Sequence, residues 1–259
     1  MKLTVIGAGP AYTDRAGAVG ASYLVTSGDT SLLLDLGHGS FANLAGALEP
    51  STLTAIAISH LHPDHFIDLV PLRHYLRYEF EPPRRLAVLA PAAIAERLDA
   101  LLAQPGFTAE ALDIAPLSDG LVREIGGLRL EARKVTHTDD SYAFRVSPLP
   151  RAGAAEPGPG LVYTGDCGRA ADLRPLIQPG DVLLSEVSFG LGPVPRGVFH
   201  LDAGEVGRLA ADAGAGRVLL THLLSGRDRA ATEAATTRAA GGIEATLVDP
   251  GDRFDIQPD

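Results

Sequence analysis

The octapeptide Ser59-His60-Leu61-His62-Pro63-Asp64-His65-Phe66 constrains this chain more than any other stretch. It places three of the eight histidines and an aspartate within six residues. The run before it, Leu53-Thr54-Ala55-Ile56-Ala57-Ile58, is apolar and partly β-branched, and reads as a buried strand. From Phe66 through Tyr78 the apolar residues fall at helical spacing and predict an amphipathic helix. The cluster therefore sits on a strand-to-helix loop, at the strand end where open α/β sheets bind ligands. In extended backbone the side-chain period is two, so His60 and His62 point the same way and can share one metal. Pro63 fixes its own φ and lacks an N–H, which favours a turn. Asp64 and His65 can then face a second metal beside the first. Neutral imidazole and carboxylate suit Zn²⁺, and also Mn²⁺ or Fe.

The chain has 259 residues, of which 46% are hydrophobic, enough for a sizeable and mostly aliphatic core given only 5% aromatics. Its formal net charge of −10 argues against a dedicated binder of long nucleic acid, whose affinity rests on cationic side chains at phosphates. A small anionic substrate remains open, because bound metals can invert the local field. The single cysteine, Cys167, allows no intramolecular disulfide and fits a reducing compartment. The start of the chain runs straight into strand-like sequence without a leader pattern, and no apolar run reaches the roughly 18 residues of a membrane span. The expectation is a cytoplasmic protein without a membrane partner, with a second copy of the chain as a candidate partner.

Lys2 to Ile6 alternate as a first strand. The Gly7-Ala8-Gly9-Pro10 turn after it begins a dinucleotide-binding pattern that Tyr12 leaves incomplete. Strands over 21–25 and 31–35 form a hairpin at Gly28-Asp29. A short helix is expected over Phe41 to Leu48, a strand over Leu86 to Leu89, a helix over Pro91 to Leu102 and another short helix over Thr108 to Leu112. Two strands flank Gly126-Gly127, and the second delivers Thr136-His137-Thr138. Ser141 to Val146 is a further strand, and Ser147 to Gly160 reads as a mobile excursion. Later strands end at Gly165-Asp166, at Ser185-Glu186 and at Thr221-His222. Asp202 reads as the N-cap of the helix that carries Val206 and Leu209.

The segment HLHPDH resembles the HxHxDH signature of the metallo-β-lactamase superfamily. Asp35-Leu36-Gly37, His137, Gly165-Asp166 and His222 match its remaining motifs, in order and across essentially the whole chain. The resemblance implies one domain over 1–259 of the α/β class, a four-layer αβ/βα sandwich with the metal site at one edge of its two sheets. It further implies that His60, His62 and His137 hold one metal, that Asp64, His65 and His222 hold a second, and that Asp166 and a hydroxide bridge them. Asp35 would order the metal loop from behind, although a cap or turn role is also open to it. Cys167 reads as a small packed residue rather than a ligand.

Within the superfamily, the aspartate at Asp166 and the segments around Glu186 and His200 are similar to the ribonuclease Z-like and cyclic-nucleotide phosphodiesterase-like branch. In that branch Glu186 and His200 would position a proton. A buried ion pair and a capping histidine are their alternative readings, and Asp202 stands where that branch usually has Thr. Asp64, Glu186 and His200 are accordingly the catalytic candidates, with Ser141 and Arg145 as candidates for contact with a substrate phosphate. No counterpart of the tRNA-gripping arm of full ribonuclease Z enzymes is evident. The implied activity is a dinuclear metal-dependent phosphodiesterase acting on a small phosphodiester, such as a cyclic nucleotide. The alternatives are a tRNA 3′-processing endonuclease and a non-catalytic ligand-binding member of the fold.

Overall fold

Short apolar runs with period-two alternation, punctuated by glycine turns, fold into fourteen strands and seven α-helices among the described residues. The structure, a computed structural model, describes residues 1–150 and 158–256. The first half of the chain supplies β1 (Lys2–Gly7), β2 (Ser22–Ser27), β3 (Thr30–Leu34), α1 (Ser40–Ala47), β4 (Ala55–Ala57), α2 (Pro63–Phe66), α3 (Leu69–Tyr78), β5 (Leu86–Ala90), α4 (Ile94–Leu101) and β6 (Leu112–Pro116). The second half supplies β7 (Val122–Ile125), β8 (Leu128–Lys134), β9 (Tyr142–Pro148), β10 (Leu161–Tyr163), α5 (Ala170–Leu173), β11 (Val182–Glu186), α6 (Ala203–Ala213), β12 (Arg217–Thr221), α7 (Arg229–Ala239), β13 (Ala245–Leu247) and β14 (Arg253–Asp255).

These strands form two seven-stranded sheets, ordered β14-β1-β2-β3-β4-β5-β6 and β13-β12-β11-β10-β9-β8-β7. Alternation along each strand decides the layers. On β3, Leu32 and Leu34 enter the core between the sheets with Tyr23, Leu130, Phe144, Tyr163 and Leu184. Leu33, one residue out of phase, packs outward with Leu44, Leu72 and Leu98 under α1, α3 and α4. On β11, Leu184 faces inward while Leu183 packs outward against Leu173, Val206 and Leu209 of α5 and α6. The result is a four-layer αβ/βα sandwich, as the resemblance implies.

Three local expectations are corrected. The helix expected over Thr108 to Leu112 is a single 3-10 turn, Thr108–Glu110, after which Leu112 begins β6 in parallel register with β5. A free edge on β5 outweighs the weak helical signal, because pairing there satisfies the backbone groups of both segments. The helix expected from Phe66 is split: Pro63 starts α2 as its first residue, and α3 begins only at Leu69. The excursion expected over Ser147 to Gly160 is shorter at its start, since Ser147 and Pro148 finish β9, while 151–157 lie outside the described residues. Asp202 does cap α6, with a reciprocal bond to Glu205.

Candidate metal centre

Every strand-end histidine and aspartate of the sequence pattern converges at one edge of the two sheets. His60 and His62 follow β4, and Asp64 and His65 lie in α2. His137 follows β8, Asp166 follows β10 and His222 follows β12. Two of the residues that build this edge hold left-handed backbone, Asp35 with φ 60° and His222 with φ 59°. Side chains rarely occupy this region, and such strain collects at functional sites. Gly37 lets the metal loop close on β3: a Cβ there would stand 1.9 Å from the Asp64 carbonyl oxygen.

Two sets of donor atoms result. In the first, His60 Nε2 and His137 Nε2 each lie 3.1 Å from His62 Nδ1. Asp166 Oδ2 stands 3.8 Å from His60 Nε2 and 3.7 Å from His137 Nε2. In the second, His222 Nε2 lies 3.1 Å from Asp64 Oδ2 and 3.4 Å from His65 Nε2. Asp166 Oδ1 approaches His65 and His222 Nε2 at 3.4 and 3.5 Å. The carboxylate of Asp166 thus offers one oxygen to each set.

The far side of each ring decides which nitrogen faces inward. His137 Nδ1 donates to the Phe199 carbonyl at 2.8 Å, and His65 Nδ1 donates to Asp35 Oδ2 at 2.7 Å. Ser59 Oγ donates to Asp35 Oδ2 at 2.7 Å and accepts from His60 Nδ1 at 3.1 Å. With their protons committed outward, the inward nitrogens of His60, His65 and His137 present lone pairs whenever the rings are neutral. Asp35, fully buried, also accepts from Ser59 N and the Tyr163 hydroxyl, both at 2.6 Å. Its carboxylate thereby ties Ser59 and His65 of the histidine loop to the end of β3.

These residues fit metal ions. His60 Nε2 and His137 Nε2 both face His62 Nδ1 at 3.1 Å, and one ring proton on His62 can serve only one of them, so a shared cation suits the trio. A tetrahedral ion about 2.0–2.1 Å from its nitrogens sets those nitrogens roughly 3.3 Å apart. Asp166 Oδ1 is buried without a hydrogen-bond partner among the described residues, an orphan acceptor waiting for a positive partner. Burial, reinforced by neighbouring histidines, holds His60 well below the usual imidazole range and also lowers His62 and His137, so all three favour the neutral form that ligates. His65 goes the other way: burial opposes its charge, but the Asp166 and Asp35 carboxylates outweigh it and raise its pKa. A field that holds a proton on His65 would also hold a cation.

Glu186 and His200 meet at the same rim. Glu186 is buried, and its Oε1 accepts from His200 Nδ1 at 3.0 Å. Burial disfavours the charged imidazole, yet the Glu186 carboxylate overcomes it and raises His200 to about 9. His200 Nδ1 also comes within 3.9 Å of Asp166 Oδ2.

Of the two phosphate-contact candidates, neither joins the cluster. Ser141 is buried, and its Oγ accepts from Thr138 N at 3.1 Å and bonds Thr138 Oγ1 at 2.7 Å, which shapes the loop carrying His137. Arg145 is 1% exposed and bonds Asp181 through Nε at 2.8 Å and Nη2 at 2.9 Å. A guanidinium closed on a buried carboxylate has nothing left to offer a substrate, and that expectation is corrected. Burial pushes the Cys167 thiol up to about 12, and its S–H is spent on the Arg169 carbonyl, in keeping with a packed residue. The residues that sequence reasoning missed are Ser59, Tyr163, Ser188 and the Phe199 carbonyl. Ser59 adjoins the histidine motif and Ser188 lies two residues after Glu186, but nothing local to either sequence fixes its partner.

A convergent histidine–aspartate cage at the edge of an αβ/βα sandwich defines the metallo-β-lactamase-like class, and comparison with known proteins agrees. Residues 30–223 match the sequence model of the beta-lactamase superfamily domain, and the chain belongs to that family. It is 31% identical over 245 residues to uncharacterized protein ML1173 of Mycobacterium leprae, spanning 92% of this chain and 82% of that one. It is 29% identical over 226 residues to probable metallo-hydrolase YhfI of Bacillus subtilis, spanning 86% of this chain and 87% of that protein. The crystal structure of YhfI superposes with a TM-score of 0.84, covering 98% and 99% of the two chains at 26% identity. Ribonuclease Z of Salinispora arenicola is 26% identical, over 77% of this chain and 78% of its own. The family and its metallo-hydrolase relatives support a hydrolase.

Proposed function

We propose that the protein is a dinuclear, zinc-dependent phosphodiesterase acting on a small phosphodiester such as a cyclic nucleotide. The observation that carries this reading is Asp166. One buried carboxylate turns an oxygen to each of two ligand sets, with the protonatable His200 beside them. His60, His62 and His137 would hold one ion and Asp64, His65 and His222 the other, with Asp166 shared. Bound there, divalent ions would acidify water into a nucleophile at neutral pH and stabilise charge growing on the phosphoryl oxygens.

The chain's own residues do the rest. Glu186 accepts the Nδ1 proton of His200 and so leaves Nε2 as the atom able to give a proton to the departing alkoxide. In the metal-free protein the Glu186 carboxylate raises His200 to about 9, which favours the protonated form an acid requires. A β-lactam amide needs only a polarised carbonyl. A diester places one negative charge against the cage, and its transition state places more there, so the positive field that bound ions would supply favours the transition state.

A second reading, tRNA 3′-end processing, is favoured by the similarity to ribonuclease Z, while the net charge of −10 weighs towards a smaller substrate. A panel of bis(p-nitrophenyl) phosphate, cyclic nucleotides, a pre-tRNA and nitrocefin tests the choice. Diesterase turnover with little nitrocefin hydrolysis is expected. Nitrocefin cleavage without diesterase activity overturns the proposal, and accurate cutting of pre-tRNA at its 3′ end replaces it with the second reading.

A further inference from the structure

One hydroxyl links the proton donor to the ligand cage. Ser188 and Glu186 are both buried, at 0% and 1% exposure. Glu186 Oε2 accepts from the Ser188 amide at 2.9 Å and from the Ser188 hydroxyl through a very short bond. Glu186 Oε1 accepts from His200 Nδ1, Leu201 N and Cys167 N at 3.0, 3.1 and 3.2 Å. The hydroxyl has a single proton, and the carboxylate is its strongest acceptor. Ser188 Oγ must therefore act as acceptor towards its remaining neighbours, and His222 Nδ1 lies 3.0 Å away.

We infer that Ser188 is a positioning residue that carries the charge of Glu186 to His222 and fixes Nε2 as its metal-binding nitrogen. The need arises from Asp64. Its Oδ2 lies 3.1 Å from His222 Nε2 and would hold a proton on that nitrogen in the absence of a competing acceptor. A histidine protonated at Nε2 cannot ligate through it. With an ion held by Asp64 and Nε2, the ring proton would sit on Nδ1, where Ser188 Oγ is placed to accept it. His65 is managed in the same way, with Asp35 accepting from its Nδ1. Glu186 thus has two tasks: it orients His200 directly, and it orients His222 through Ser188.

This inference rests on the two-ion reading, and the experiment separates the two. Wild-type protein and the variants Ser188→Ala, Ser188→Thr, His200→Ala and Glu186→Gln are stripped of metal and titrated with Zn²⁺ against a chromophoric chelator. Co²⁺ absorption reports the geometry of each site, and ¹⁵N chemical shifts report the tautomer of His222. Ser188→Ala is expected to weaken the second equivalent about 10–100-fold and spare the first, with Ser188→Thr restoring it. His200→Ala should leave both affinities intact, while Glu186→Gln weakens the second ion. Wild-type affinities and spectra in Ser188→Ala overturn the inference and leave the two-ion reading standing. Equal weakening of both equivalents with a lowered Tm, unrescued by Ser188→Thr, overturns it in favour of a general structural role. Uptake of a single equivalent by the wild type overturns the two-ion reading and this inference with it.

Discussion

Two buried polar clusters adjoin the second sheet, and they are built on opposite terms. In one, Arg145 of β9 closes on Asp181, which also accepts from Gly160 N at 2.6 Å and Gln178 N at 2.8 Å, while Arg145 Nη2 reaches the Gly158 carbonyl at 3.1 Å. Both carboxylate oxygens accept two bonds each, and the charges cancel within the cluster. In the other, at the strand ends, five imidazoles and two carboxylates converge with nitrogens face to face, and Asp166 Oδ1 has no hydrogen-bond partner among the described residues. The first is finished by the chain itself; the second leaves a buried carboxylate oxygen and clustered imidazoles suited to a cation. A buried charge that is fully hydrogen-bonded serves the fold. One whose neighbouring donor atoms all turn towards one another serves a bound cation.

The comparison breaks most readily at His62, which is exposed in the ligand cage. His62→Ala should cost stability little, within about 0.5 kcal/mol, as surface changes do. It should lose metal and lower activity roughly 10⁴-fold or more, since each 1.36 kcal/mol of lost transition-state stabilisation is a decade. Elemental analysis and turnover on a diester check it, with two ions per wild-type chain as the reference. A fully active His62→Ala protein would end the two-ion proposal.

Arg145→Met should do the reverse. Leaving Asp181 buried and unpaired is expected to cost about 3–5 kcal/mol of folding stability, a large share of the roughly 5–15 kcal/mol typical of a domain. The folded fraction should keep its metal content and KM. A stably folded Arg145→Met enzyme with a raised KM would return Arg145 to the substrate.

His200 lies between these extremes, tied to a buried carboxylate yet facing the cage. His200→Ala should spare metal content and lower turnover about 10²–10⁴-fold on substrates with poor leaving groups. The loss should shrink with p-nitrophenolate, which departs without a proton. Equal losses on both would make His200 a binding residue.

The smallest effect sharpens the same point through pH. In the metal-free protein, the folded value of His200, about 9, lies above its ordinary value of 6.5. The stability its charge contributes is therefore fully present below pH 6.5 and is lost as pH rises through about 9. Denaturant unfolding across that window should show the difference between wild type and His200→Gln shrinking as pH rises. A difference that stays constant would mean that His200 is neutral in the fold.

Much of the site is legible in the sequence because its ligands are local. The spacing in His60-Leu61-His62 puts two imidazoles on one side of an extended segment, and Asp64 and His65 follow on the next turn. Asp166 and His222 can be read as strand-end residues because an apolar run immediately precedes each. The layers follow as readily: Leu32, Leu33 and Leu34 sort themselves into two cores by alternation.

Only the tertiary structure decided where Arg145 goes, that 112–116 joins a sheet, and which nitrogen of each histidine faces the cage. A tautomer is chosen by the partner behind the ring, and those partners come from elsewhere in the chain. Tyr163 reaches Asp35 across 128 positions, and Ser188 reaches His222 across 34. A sequence pattern records which donor atoms a site holds. Their aim is set by hydrogen bonds between segments that meet only once the sheets have packed.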